Sequence, residues 1–115
     1  MSTLDRQLIF PMLGPVMDQP LVLCDAQKIK ENDLVAMERR AEERTGELQV
    51  ALYSPEQRWY YYPAMTRDEA LLFKTYDSEL DGRTRFTPHS SIADPRAGKG
   101  VLPRESLESR CLVFF

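Results

Sequence analysis

Leu48, Val50 and Leu52 alternate with Gln49, Ala51 and Tyr53, the period-two pattern of a strand with one buried face. Trp59 to Tyr62 are all aromatic, and Pro63, which has no N–H to give to a ladder, ends them; this predicts a second strand. Ser54 to Gln57 reads as a tight turn, so the two strands are expected to pair as an antiparallel hairpin. Leu21 to Cys24, an apolar run closed by Asp25, predicts a short buried strand. Lys74 to Asp77 reads as another, and a new strand is expected to begin at His89, after Pro88. From Arg104 to Phe115, Arg104, Ser106, Glu108, Arg110 and Leu112 share one strand face, and Leu107, Ser109, Cys111, Val113 and Phe115 share the other. The apolar ending predicts a final strand buried on both faces at its end.

Helical spacing is expected in two places. Residues 34–44, LVAMERRAEER, put charges within i,i+4 reach behind Leu34, Val35 and Met37; Asn32 and Asp33 are capping residues, and Gly46 supplies a stop. A helix within 31–44, running through 42, is predicted. Thr66 lies three residues before Glu69, the spacing of a capping box, and a helical turn through Phe73 is expected to follow. Pro11, Gly14, Pro15 and Pro20 interrupt the first 20 residues, which read as an irregular lead-in with at most a strand over 8–10. Residues 93–103, with two prolines and two glycines, read as an exposed, mobile loop. The expected fold is α+β and mainly antiparallel β, with short helices.

With 115 residues, 43% of them hydrophobic, the chain is long enough for one domain with its own core. Fifteen Lys and Arg stand against 18 Asp and Glu, scattered without a basic block, which argues against a nucleic-acid partner. No apolar run approaches the roughly 20 residues of a membrane helix. The opening MSTLDRQLIF has an acidic residue where a signal peptide is basic, so no membrane association and a cytoplasmic protein are expected. Cys24 and Cys111 show no metal-clip spacing and are expected to be free, buried thiols.

Chemistry concentrates in few residues. His89 is the sole histidine, readable as a metal ligand or as a hydrogen-bonded cleft residue. Asp77, Asp81 and Asp94 are near it in sequence without diagnostic ligand spacing. Arg104 and Arg110 share a strand face, where an inward guanidinium requires an acidic partner or an anionic ligand; Glu108, between them, is the structural candidate. The aromatic run is expected to pack in a sheet or core rather than to stack on bases. Nucleophile elbow, P-loop and dinucleotide fingerprint are all absent.

The segments GPVMDQPLVLCDA, RWYYYPAMTRDEALLFKTYDS, GRTRFTPHSSIADP and PRESLESRCLVFF, in this order and spacing, resemble the C-terminal half of the fungal asaB hydroxylase/desaturase family, also named CmcJ-like. The resemblance covers residues 14–115, with 1–13 as a divergent lead-in. It implies an oxidoreductase of secondary metabolism, similar to non-haem iron, 2-oxoglutarate-dependent oxygenases, with a double-stranded β-helix (jelly-roll) core and a small-molecule substrate. Such oxygenases hold Fe(II) with an HxD pair and a distal histidine, and clamp 2-oxoglutarate with an arginine on a later strand. By resemblance His89 takes the distal metal position, Arg110 the clamp, and Arg104 is the second choice. His89 and Arg110 are then expected on one concave side of the sheet, with Arg104 near its rim and room for 2-oxoglutarate.

Family members place HxD upstream of the segment matched by GPVMDQPLVLCDA, and residues 1–13, MSTLDRQLIFPML, contain no histidine. The resemblance therefore implies a truncated partial barrel that lacks the HxD half and is inactive in isolation. The alternative is a non-catalytic half-barrel association module or an inactive gene fragment, with open sheet edges that invite a second copy or a complementing chain.

Overall fold

Among the residues described by the computed structural model, 2–40, 42–43, 45–94 and 96–115, every strand pairing is antiparallel. The strands are β1 (Thr3–Pro11), β2 (Leu21–Cys24), β3 (Leu34–Arg40), β4 (Thr45–Ala51), β5 (Trp59–Tyr60), β6 (Leu71–Asp77), β7 (His89–Ser91) and β8 (Ser106–Phe114). They form a first sheet in the order β6-β1-β8, a second in the order β5-β2-β7, and a separate β3-β4 hairpin. Helical structure among the described residues is limited to 3-10 turns at Ala26–Lys28 and Glu31–Asp33, the first capped by Asp25 Oδ1, which accepts from the Gln27 N–H at 3.0 Å. The fold is mostly antiparallel β.

The N-terminal segment overturns its expectation as an irregular lead-in. β1 is the middle strand of the first sheet, with Ile9 opposite Leu71 of β6 and Glu108 of β8. Its buried positions, Asp5, Gln7, Ile9 and Pro11, alternate along the strand, and a bulge in the β1-β6 pairing falls between Asp5 and Arg6. Local pattern hid this strand because two of its inward residues are polar. Residues 12–20 do lack regular structure. They are held by the Val16 N–H, which donates to the Met65 carbonyl at 2.9 Å, and by Gly14, where a Cβ would lie 3.0 Å from the Arg67 nitrogen.

The helix expected within 31–44 is also overturned. Leu34–Arg40 pairs residue by residue with β4, from Leu34 opposite Ala51 to Arg40 opposite Thr45, so its backbone groups are satisfied across a hairpin. Gly46 sits inside β4 opposite Arg39 rather than ending a helix. Ala41 and Arg44 of the expected helix, Met1, and Pro95 of the expected 93–103 loop lie outside the described residues.

The strand over 48–53 is present as β4 through Ala51, but its partner is β3, while the aromatic strand, only Trp59–Tyr60, pairs with β2. The Ser54 turn forms, with the Gln57 N–H donating to its carbonyl at 3.1 Å. At Thr66 the Glu69 carboxylate accepts from the Thr66 N–H at 3.0 Å, but the Glu69 N–H donates to the Thr66 carbonyl at 3.2 Å and no helix follows. Instead β6 starts at Leu71.

The core is small: Ile9 and Phe73 come from the first sheet, Val22 and Cys24 from the second, and Val16 and Met65 from the loops. β8 is exposed along all nine residues, against the expectation of a buried end, because it is paired on one side only and none of the described residues forms a layer over its apolar tail from Leu112 to Phe115. The aromatic run is likewise open, with Tyr60 and Tyr62 exposed rather than in the core. Both cysteines are free, but only Cys24 is buried; Cys111 is exposed on β8.

Candidate functional site

β7 begins at His89, which pairs with Leu23 of β2; Pro88 before it has no N–H for the ladder, though its carbonyl accepts from the Cys24 N–H at 2.9 Å. The imidazole donates from Nδ1 to the Thr87 carbonyl at 2.9 Å, so Nε2 is the ring nitrogen left without a hydrogen-bond partner among the described residues. Its ring lies 4.8 Å from that of Phe73, tilted by 58°, so the histidine bridges from the second sheet to the first.

Arg110 lies on β8 opposite Gln7. Its Nε donates to Asp5 Oδ2 at 2.8 Å, and Nη2 approaches the same oxygen at 2.5 Å. The hydrogen bond it donates to Asp5 holds the guanidinium even more firmly protonated than usual. The partner is therefore Asp5, not the neighbouring Glu108, which accepts from Gln7 Nε2 at 2.6 Å. Asp5 is 4% exposed, and its Oδ1 is buried without a hydrogen-bond partner among the described residues.

His89 and Arg110 line one cavity of about 870 Å³, with Trp59, Tyr76 and Phe86 on its walls and the β3-β4 hairpin contributing Leu34, Leu48 and Val50. That volume is in the range of small-molecule sites. Arg104 is elsewhere: its Nε donates to the Gln19 carbonyl at 2.9 Å and its Nη1 to Ser106 Oγ at 2.7 Å, beside a separate cleft lined by Val16, Pro20 and Met65. It ties the 12–20 loop to the start of β8.

Iron needs three protein ligands, and the described residues hold no cluster of three or more His, Cys, Asp and Glu side chains able to bind a metal; the sequence has one histidine. These residues do not fit a three-ligand iron centre. A carboxylate fits better, because Arg110 keeps N–H groups that Asp5 does not take and borders the cavity. Asp77, Asp81 and Asp94 do not converge on His89: Asp77 is held by Lys74 at 2.7 Å, Asp81 by Arg83, and Asp94 by Arg96. Their carboxyls sit below the usual range chiefly through those side-chain hydrogen bonds.

Sequence reasoning missed Asp5, because it lay in the segment read as a lead-in; the signal was the alternation Thr3, Asp5, Gln7, Ile9. The aromatic run was expected in a sheet or core; Trp59 and Tyr60 do pair in the second sheet, and Trp59 is also a cavity wall, which the sequence did not indicate.

The model of a family described as "Oxidoreductase/YMDC permease-like domain" matches residues 10–114. No helix among the described residues is long and apolar enough to cross a membrane. The hydroxylase/desaturase asaB of Aspergillus flavus is 41% identical over 121 aligned positions, which cover 93% of this chain and 53% of asaB. The Fe(II)/2-oxoglutarate-dependent dioxygenase nvfI of Aspergillus novofumigatus is 37% identical, covering 90% of this chain and 38% of nvfI. The solved structure of the iron and alpha-ketoglutarate-dependent endoperoxidase NvfI superimposes with a TM-score of 0.86 at 33% identity, over 98% of this chain and 42% of that one. The chain thus spans about half the length of asaB and less of nvfI.

Proposed function

The chain belongs to the hydroxylase/desaturase family of asaB, and from that membership we propose that it is the cosubstrate-binding half of an oxidoreductase of the iron, 2-oxoglutarate type, acting on a small molecule. The observation that carries this reading is the shared cavity of His89 and Arg110, about 870 Å³. Residues 14–115 correspond in this reading to the C-terminal half of the oxygenase domain, and β1 completes its first sheet. The two sheets form part of a double-stranded β-helix, supported by the way β5, β6, β7 and β8 alternate between them. In a complete site, to which His89 would give one ligand, an iron would supply dioxygen activation. This chain's own share is narrower: Arg110 receives a carboxylate, His89 presents Nε2, and Trp59, Tyr76 and Phe86 supply apolar walls.

The sole histidine sets the limit. A single imidazole is a weak metal site, so this chain on its own is a poor iron binder without substantial oxygenase activity. The test is an anaerobic Fe(II) titration with and without 2-oxoglutarate, beside His89→Ala and Arg110→Ala. We expect weak iron binding and a 2-oxoglutarate response that disappears in Arg110→Ala. Tight stoichiometric iron binding abolished by His89→Ala overturns the inactivity, and a 2-oxoglutarate response indifferent to Arg110→Ala overturns the clamp.

A second reading, a half-barrel association module, is favoured by β8, whose residues are all exposed on a strand paired at one edge. Light scattering over a concentration series separates the two: concentration-dependent dimers support association, and a monomer throughout opposes it.

A further inference from the structure

A guanidinium offers a carboxylate two faces, a side-on edge formed by Nε with Nη2 and an end-on edge formed by Nη1 with Nη2. In Arg110 the side-on edge is taken by one oxygen, Asp5 Oδ2, at 2.8 Å from Nε and 2.5 Å from Nη2. Among the described residues nothing accepts from Nη1. Five N–H groups minus the two engaged leave three, and they include the whole of Nη1 and one N–H of Nη2. Arg110 also stands beside the cavity that contains His89.

Asp5 is built to hold Arg110 in place. Its carboxylate is buried on the central strand of the sheet, next to the bulge between Asp5 and Arg6, while the arginine side chain it grips is 66% exposed. A long exposed arginine loses rotamer freedom when it binds an anion; a fixed buried carboxylate on its other edge removes that cost in advance. We infer that Asp5 is the positioning residue of this site, fixing the side-on edge of Arg110 so that the end-on edge receives a carboxylate in the cavity. This rests on the reading of Arg110 as the 2-oxoglutarate clamp and deepens it. The charge of Asp5 also repels an anion, but at an open arginine that repulsion is screened by water and salt, while the geometric hold is not.

The experiment is an NMR titration of the whole chain with 2-oxoglutarate, comparing wild type, Asp5→Asn, Asp5→Ala and Arg110→Ala. The Arg110 Nε–Hε signal, assigned by its loss in Arg110→Ala, is followed in parallel. Asp5→Ala is expected to weaken 2-oxoglutarate binding by roughly tenfold. Asp5→Asn, which keeps an acceptor oxygen, should lose less, and the Nε–Hε proton should exchange faster with water in both. If Asp5→Ala does not fold, Asp5→Asn decides alone. Equal or tighter binding in Asp5→Asn or Asp5→Ala, with Arg110→Ala still abolishing it, overturns the positioning role and leaves the clamp standing. If wild type shows no binding, or binding indifferent to Arg110→Ala, the clamp reading fails and the receiving edge with it. The Nε–Hε exchange then still reports whether Asp5 holds Arg110: faster exchange in the variants supports the hold, and unchanged exchange overturns it.

Discussion

The rings of Phe73 and His89 meet at 4.8 Å, and through this contact the first sheet touches the residue that opens β7 of the second. Phe73 is buried and His89 exposed, so the two sides of one contact carry different energies. Phe73→Ala should cost about 3–5 kcal/mol, as for a core aromatic that leaves a cavity. His89→Ala should stay within about 1 kcal/mol, as at an exposed position. Urea denaturation of both variants checks this; a His89→Ala loss equal to that of Phe73→Ala would mean that the histidine is a core residue first.

β1 should be among the last segments to open. Ile9 is buried between β6 and β8, and Ile9→Ala is expected to destabilise by about 2–5 kcal/mol. In limited proteolysis the loop 96–103 should be cut before residues 3–11. Early cleavage within β1 would contradict its central place.

Acid stability should depend on Asp77. The residue is buried, and Lys74 Nζ at 2.7 Å together with the Glu79 N–H at 3.0 Å hold its carboxyl below the usual range. Its folded value lies below an unfolded value of about 3.9, so its contribution is fully present above about pH 4 and is lost as pH falls through the folded value. Asp77→Asn should therefore lower Tm at pH 7, and the gap to wild type should narrow below about pH 4. A gap that is constant across that window would remove the charge from the explanation.

The two thiols should differ. Cys111 is exposed on β8 and should react at once with an aromatic disulfide reagent. Cys24 is buried, and burial pushes its thiol above its ordinary value, so it should react only on unfolding. Two thiols titrating together in the native protein would contradict the burial of β2.

What the chain decided locally was the set of short apolar or turn-bounded strands. Leu21–Cys24, the start of β7 at His89 and the long strand ending at Phe114 all follow from residues within a few positions of one another. The Ser54 turn and the irregular 12–20 segment are local for the same reason. His89 and Arg110 were legible as candidates because few other side chains in the sequence offer their chemistry.

Tertiary structure decided the rest. LVAMERR suits a helix by composition, yet residues 45–51 lie next in the chain and take its hydrogen bonds as a hairpin partner. β1 looked irregular because Asp5 and Gln7 face inward; Arg110 and Glu108, each one step diagonal on β8 at the far end of the chain, give their side chains partners. Arg104 and Arg110 were expected on one strand face, where spacing alone does not tell them apart, although the resemblance ranks Arg110 first; in the structure Arg104 lies before β8 begins. They separate because the 12–20 loop reaches Arg104 while the cavity reaches Arg110. Spacing along a strand decides which side a residue takes, but the partner it meets there is brought by segments distant in sequence.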